Sequence, residues 1–327
     1  MTEVHGDREL AARLRATLGR HHDVAAIAVV SSEDSRIASL GAGLAADYEI
    51  GSVSKAITGL LYSDAMVRGE INTSTTLGDL LPVADTAVAR VTLAALSTHR
   101  SGLPRLPRSA APLRRTLDLW RHGANPYGED VEALFEQARG VRVGRPSPRY
   151  SNFGFELLGH ALAHAAGVGY PELVRQRLVG PLGLSSLYAP ATVEELRPTA
   201  LPGRSRRGTP RAPWTGAAIA PAGGLRASIN DMARLTQALL DGTAPGLAAL
   251  DPVSPFSGRG VSIGAAWITL THRNHQITWH NGGTGGFRSW IGLDRQEGAG
   301  VVLLSATSAT VDPHGFKMLS ELNDRQP

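Results

Sequence analysis

The two ends of this 327-residue chain read as strands, and its middle reads as helices. Residues 24–32 and 35–40 are short apolar runs parted by Glu33 and Asp34. After Gly260 four more runs follow, at 262–270, 275–280, 287–294 and 299–306, separated by Gly, Asn and Asp turns. Helical spacing fills residues 52–68, 152–166, 170–179 and 230–241. It also marks 7–20 near the start and 313–323 near the end. Asp7 and Asn230 are placed to cap two of these helices, and Gly180-Pro181-Leu182-Gly183 to end another. Strands at both ends with helices between them suggest one sheet built from both termini. The expected class is therefore α+β: an antiparallel sheet flanked by helices, with an inserted, mostly helical domain. The expected division is 1–68 plus 216–327 for the sheet domain and 69–215 for the helical one.

Composition narrows the chemistry. There is no Cys, which removes disulfides, thiolate metal sites and Cys nucleophiles. The longest apolar run, Val24 to Val30, is far too short to span a bilayer. Residues 1–23 lack the apolar stretch of a secretory signal, so a cytoplasmic location is expected. No cofactor and no metal are expected, and neither nucleic acid nor a membrane is an expected partner. The cations are lopsided: of 33 basic residues only Lys55 and Lys317 are lysines. An arginine keeps its proton in a protein, whereas a buried lysine can lose it. Lys55 therefore draws attention.

Three constellations could carry chemistry. The first is Ser52-Val53-Ser54-Lys55 at the start of a helix, where residues three apart share a face. A hydroxyl attacks well only after a base takes its proton, and burial lowers a lysine's pKa enough for its amine to serve. The second is Tyr150-Ser151-Asn152, a phenol and an amide two apart before a helix. The competing reading makes Asn152 a helix cap with Tyr150 packed beside it. The third is His280-Asn281-Gly282-Gly283, a strand end where glycines let a substrate approach and expose N–H donors. Its competing reading is a glycine-rich turn.

In that order, the three motifs resemble the serine hydrolases of the penicillin-binding and class C β-lactamase type. Thr92 to Pro104, Asn152 to Gly159, Pro181-Leu182-Gly183 and Ala222 to Leu225 are similar too, and the resemblance covers about residues 25–306. It implies the β-lactamase/transpeptidase-like fold, with the active site between sheet and helical domains. It implies that Ser52 is the acylated nucleophile and Lys55 its base. Tyr150 would shuttle the proton to the leaving group, and Asn152 would orient Lys55 and substrate. The N–H groups of Ser52 and Gly283 would form the oxyanion hole, and His280 would line the third wall. The sequence departs from the β-lactamases proper at that wall, where His280-Asn281-Gly282 replaces Lys-Thr-Gly. His variants of this motif belong to esterases, D-amino-acid peptidases and acyl-transferring relatives.

Other motifs compete. Gly260-Val261-Ser262-Ile263-Gly264 matches a nucleophile elbow, but no helix follows Ser262. Gly41-Ala42-Gly43 is a turn rather than a dinucleotide loop. His160 and His164 have metal-ligand spacing without the Glu of a zinc protease, and read as a structural pair. Residues 100–149 hold ten Arg against five acids, a solvated basic face or a surface for an acidic carrier protein. The expected activity is hydrolysis of a small-molecule ester, amide or peptide through a Ser52 acyl-enzyme, with esters favoured and β-lactams poor substrates. The alternatives are acyl or peptidyl transfer from a carrier, and an inactive relative that binds acyl ligands.

Overall fold

A computed structural model describes residues 2–31, 34–106, 112–272 and 275–323. Its centre is an antiparallel sheet of nine strands. In spatial order these are Val4–Gly6, Ser35–Leu40, Ala25–Ser31, Ala299–Ser305, Arg288–Asp294, His275–Gly283, Ile268–His272, Val261–Ile263 and Ser254–Pro255. The two ends of the chain meet in its middle, where Ala25–Ser31 pairs with Ala299–Ser305 and Ile27 stands opposite Leu303. The sheet built from both termini is therefore present. The run expected at 262–270 divides into two antiparallel strands, Val261–Ile263 and Ile268–His272.

Side chains alternate across the sheet, so each face collects its own core. Ala25, Ile27, Val301 and Leu303 meet the Arg8–Leu18 and Asp312–Asn323 helices through Leu10, Leu14, Met318 and Leu319. Ala26, Ala28, Val302 and Leu304 belong to the other core, on the side of the Ile229–Leu240 helix. Since both faces are covered, Ala299–Ser305 is buried throughout, and its run of aliphatics needs no polar alternate.

The Asn152–Ala165 helix lies at the centre of the helical layer, with residues 152–163 all buried. A helix this apolar all round must be surrounded. Its neighbours include the Val53–Val67 helix and the short Ala220–Gly223 turn of helix. Asp7 caps the first helix as expected, accepting from the Leu10 N–H at 2.8 Å. The cap at Asn230 is not found: Ser228 takes that place, accepting from the Asp231 N–H, and Asn230 lies inside the helix. The helix read over 170–179 is Tyr170–Val174 followed by a wider π turn, Arg175–Val179. One more helical turn, Gly180–Leu182, ends at left-handed Gly183. No helix among the described residues is long and apolar enough to cross a membrane.

Candidate active site

The short strand Asp47–Glu49 runs into Ile50 and Gly51, and the Val53–Val67 helix begins immediately after. Gly51 has φ of +51°, a turn that favours glycine. Ser52 is the residue before the helix, yet its side chain makes no capping bond. The hydroxyl is thus free to face other groups, beside the amides of a helix start. Lys55 lies one turn on. Its Nζ donates to Ser52 Oγ at 3.3 Å and to the carbonyl of Ala222. Lys55 is 0% exposed, and burial pulls its pKa down to about 7, with Glu156 opposing the shift and Arg105 adding to it.

Arg226 fixes this turn from behind. It is 0% exposed and donates to Asp47 Oδ1 at 2.5 Å, to Glu49 Oε1 at 3.2 Å, and to the carbonyls of Asp47 and Leu201 at 3.0 Å. Asp47–Glu49 pairs with Arg226–Ser228, so one buried cation ties the strand before Ser52 to the segment that follows Ala222. Sequence reasoning had no sign of this pairing. A three-residue strand leaves no periodicity to read.

The third motif closes on the same turn. A Cβ on Gly282 would lie 2.0 Å from the Ile50 carbonyl oxygen and 3.0 Å from the Ser52 nitrogen, so only glycine fits. Ser289 adds a hydrogen bond to the Ile50 carbonyl at 2.6 Å. Gly283 packs against Gly51, which brings its backbone beside the Ser52 amide. Asn281 turns away and donates to Asp312 Oδ2 at 2.7 Å. His280 is 1% exposed, its Nδ1 on the Asn281 carbonyl at 2.7 Å. Burial, with Lys55 adding, holds its pKa at about 4, so the ring is neutral at pH 7.

The opposite wall comes from His99, Tyr127 and residues 150–156. Tyr150 and Ser52 line the same cleft, and the Tyr150 ring centroid is 4.9 Å from Lys55 Nζ. Burial raises the phenol's pKa, so it carries its proton at neutral pH. Ser151 caps the following helix, accepting from the Gly154 N–H at 2.8 Å. Asn152 is therefore not the cap. Its amide donates to the Tyr127 hydroxyl at 2.9 Å, while its Oδ1 is buried without a partner among the described residues.

The structure thus brings Ser52, Lys55, Tyr150, His280, Gly282 and Gly283 together, with Asn152 joined to them through the helix it begins. Ser52, Arg105, Tyr150, Asn281, Gly282, Gly283, Arg288 and Asp312 line a cleft of about 540 Å3. A hollow of about 570 Å3 beside Arg204–Gly208 holds none of the catalytic candidates. Three further residues belong to the site and carried no role in the sequence reading. His99 stacks on Tyr150 with centroids 4.5 Å apart and accepts from the Ser151 N–H at 3.2 Å. Tyr127 holds Asn152. Glu156 is 3% exposed, and burial raises its pKa to about 8 despite the opposing pull of Lys55. Its signal was present: a lone acid between Phe155 and Leu157 in an otherwise apolar stretch.

The competing motifs go elsewhere. Ser262 lies in the Val261–Ile263 strand, its Oγ 3.5 Å from the Thr269 carbonyl, with no helix after it. His160 Nε2 faces the carbonyls of Ala217 and Ala218 at 3.2 and 3.3 Å, and His164 is exposed.

Residues 20–317 match the family described as Beta-lactamase. A Beta-lactamase-like protein of Arthroderma benhamiae is 27% identical over 314 residues, covering 84% of this chain and 50% of that protein. The chain thus spans about half the length of that relative. The D-alanyl-D-alanine-carboxypeptidase/endopeptidase AmpH of Escherichia coli K12 is 25% identical over 299 residues, covering 84% and 74%. Among solved structures, a Beta-Lactamase/D-Alanine Carboxypeptidase from Pseudomonas syringae superimposes with a TM-score of 0.80 at 18% identity, covering 98% of both chains.

Proposed function

This chain belongs to the beta-lactamase family, and we propose that within it the protein is a serine hydrolase working through an acyl-enzyme on Ser52. The observation that carries the reading is the placement of Lys55, fully buried, with its amine 3.3 Å from Ser52 Oγ and a pKa drawn down to about 7. A neutral amine there takes the Ser52 proton as Oγ attacks the substrate carbonyl. The amides of Ser52 and Gly283 receive the developing oxyanion. The Tyr150 phenol, kept protonated and lining the cleft with Ser52 and Lys55, gives a proton to the departing oxygen or nitrogen and regains one from the Lys55 ammonium. Water then takes the place of the leaving group and releases the acid.

Small esters are the favoured substrates over β-lactams. Support comes from the third motif, where β-lactamases use a lysine cation and this chain has a buried, neutral His280. Intact mass after brief exposure to a fluorophosphonate tests the acyl-enzyme. One adduct on the wild type and none on Ser52→Ala is the expected result. A folded wild type that takes no adduct removes the proposal and leaves a binding protein.

A further inference from the structure

A second cavity, of about 460 Å3, opens beside the nucleophile cleft, and Arg105 lines both. The two differ in chemistry. The nucleophile cleft is polar, and its Arg288 stands within electrostatic reach of Asp312, so that cation is already balanced. The second cavity has apolar walls from Leu106, Leu119, Tyr127 and Trp214. Three arginines join them, and none of its described lining residues is acidic. Arg115 is paired with Glu129 and donates to the Pro126 carbonyl at 3.1 Å. Arg105 and Arg149 have no carboxylate partner among the described residues. The floor connects to catalysis, because Tyr127 holds Asn152 at 2.9 Å, and Arg105 lies 5.8 Å from the Tyr150 ring centroid.

An apolar slot with two unbalanced guanidinium groups suits a substrate chain that is greasy along its length and anionic at its end. We propose that this cavity is the acyl-group subsite, and that it selects acyl chains ending in a carboxylate, held by Arg105 and Arg149. The inference rests on the hydrolase reading. It places the anion on Arg105 and Arg149 rather than on the His280 strand.

The probes are mono-p-nitrophenyl succinate, adipate and suberate, each beside the neutral ester of equal chain length. Calorimetric titration of the Ser52→Ala variant reads binding without chemistry, and kcat/KM of the wild type reads turnover. The expected result is a preference of about tenfold for the anionic ester at one or two chain lengths, lost in high salt. The Arg105→Gln/Arg149→Gln double variant should bring the ratio within each pair close to one. Reading the ratio cancels any effect of Arg105 on Lys55 that both esters share. Equal binding of each pair by Ser52→Ala, or a preference that survives the double variant, overturns the subsite. Failure of the hydrolase reading looks different: the wild type takes no fluorophosphonate, whatever the titration shows.

Discussion

The two walls around Ser52 are built on opposite terms. On the wall formed by the Val53–Val67 helix and residues 220–228, buried polar groups are tied. Lys55 donates to Ser52 and Ala222, Thr58 bonds Pro221 and Tyr170 at 2.7 Å each, and Arg226 makes four bonds. Across from it, His99 Nε2, Asn152 Oδ1, Glu156 Oε1 and, on the His275–Gly283 strand, His280 Nε2 are buried with no partner among the described residues. His99, Glu156 and His280 all feel the Lys55 charge. A tied polar group fixes position and is costly to break. A group with spare hydrogen-bonding capacity is a place for something to arrive. The first wall holds Ser52 and Lys55 in register, and on the proposed reading the second is the one that meets the substrate.

The sharpest break of that contrast is at Lys55. Lys55→Arg keeps a cation but cannot lose its proton, so it should be nearly as inactive as Lys55→Ala, a loss of about 10²–10⁴ in acylation rate. Stopped-flow acylation by p-nitrophenyl acetate measures it. An arginine variant that keeps a tenth of the wild-type rate removes the general-base role. The wild-type acylation rate should also climb through about pH 7 as Lys55 sheds its proton.

Next in size is Arg226. Arg226→Met leaves Asp47 and Glu49 buried beside each other without their cation. The expected cost is about 3–5 kcal/mol in urea unfolding, because an uncompensated buried charge is far dearer than an unmade surface pair. A loss under about 1 kcal/mol would mean that this wall is not held by its buried charges.

The same contrast explains what could be read from the sequence. The sheet was legible because its strands are apolar runs cut off by turn residues, and because such runs stand at both ends of the chain; which strands pair was not. Ser52, Lys55 and Tyr150 were legible because their residue types and spacing suit one reaction. Arg226 was not, since nothing in Gly223-Gly224-Leu225-Arg226 says that this one of 31 arginines is buried. Asn230 was mistaken for a cap because Ser228 stands two residues earlier with equal capping chemistry. His99 stood in a recognised stretch, but its place against Tyr150 depends on a tertiary contact. Burial of a charged group is decided by the whole fold, and local periodicity does not carry it.

The smallest expected effect tests the second wall. Glu156 has its pKa raised by burial to about 8, so its carboxyl is mostly neutral at pH 7. Glu156→Gln replaces a neutral acid by a neutral amide and should change stability by within about 1 kcal/mol at pH 7, far less than Arg226→Met. The sign of the pH dependence is fixed by the direction of the shift. The folded protein holds this proton more tightly than the unfolded chain, whose Glu titrates near the ordinary 4.5. The stabilising contribution is full below pH 4.5 and is lost as pH rises through about 8. Between pH 5 and 7 the Lys55 shift adds no slope in the wild type, since that lysine is protonated in both states until about pH 7. Groups out of reach of Glu156 contribute equally to both proteins. Lys55, whose pKa Glu156 pulls upward, titrates lower in the variant, which adds to the same sign, so the wild type minus Glu156→Gln difference reads the Glu156–Lys55 pair. Urea unfolding at intervals across pH 5–7 should show wild-type stability falling relative to the variant. Parallel curves would mean that Glu156 ionises like an ordinary surface acid, and that this wall is as fully tied as the one opposite.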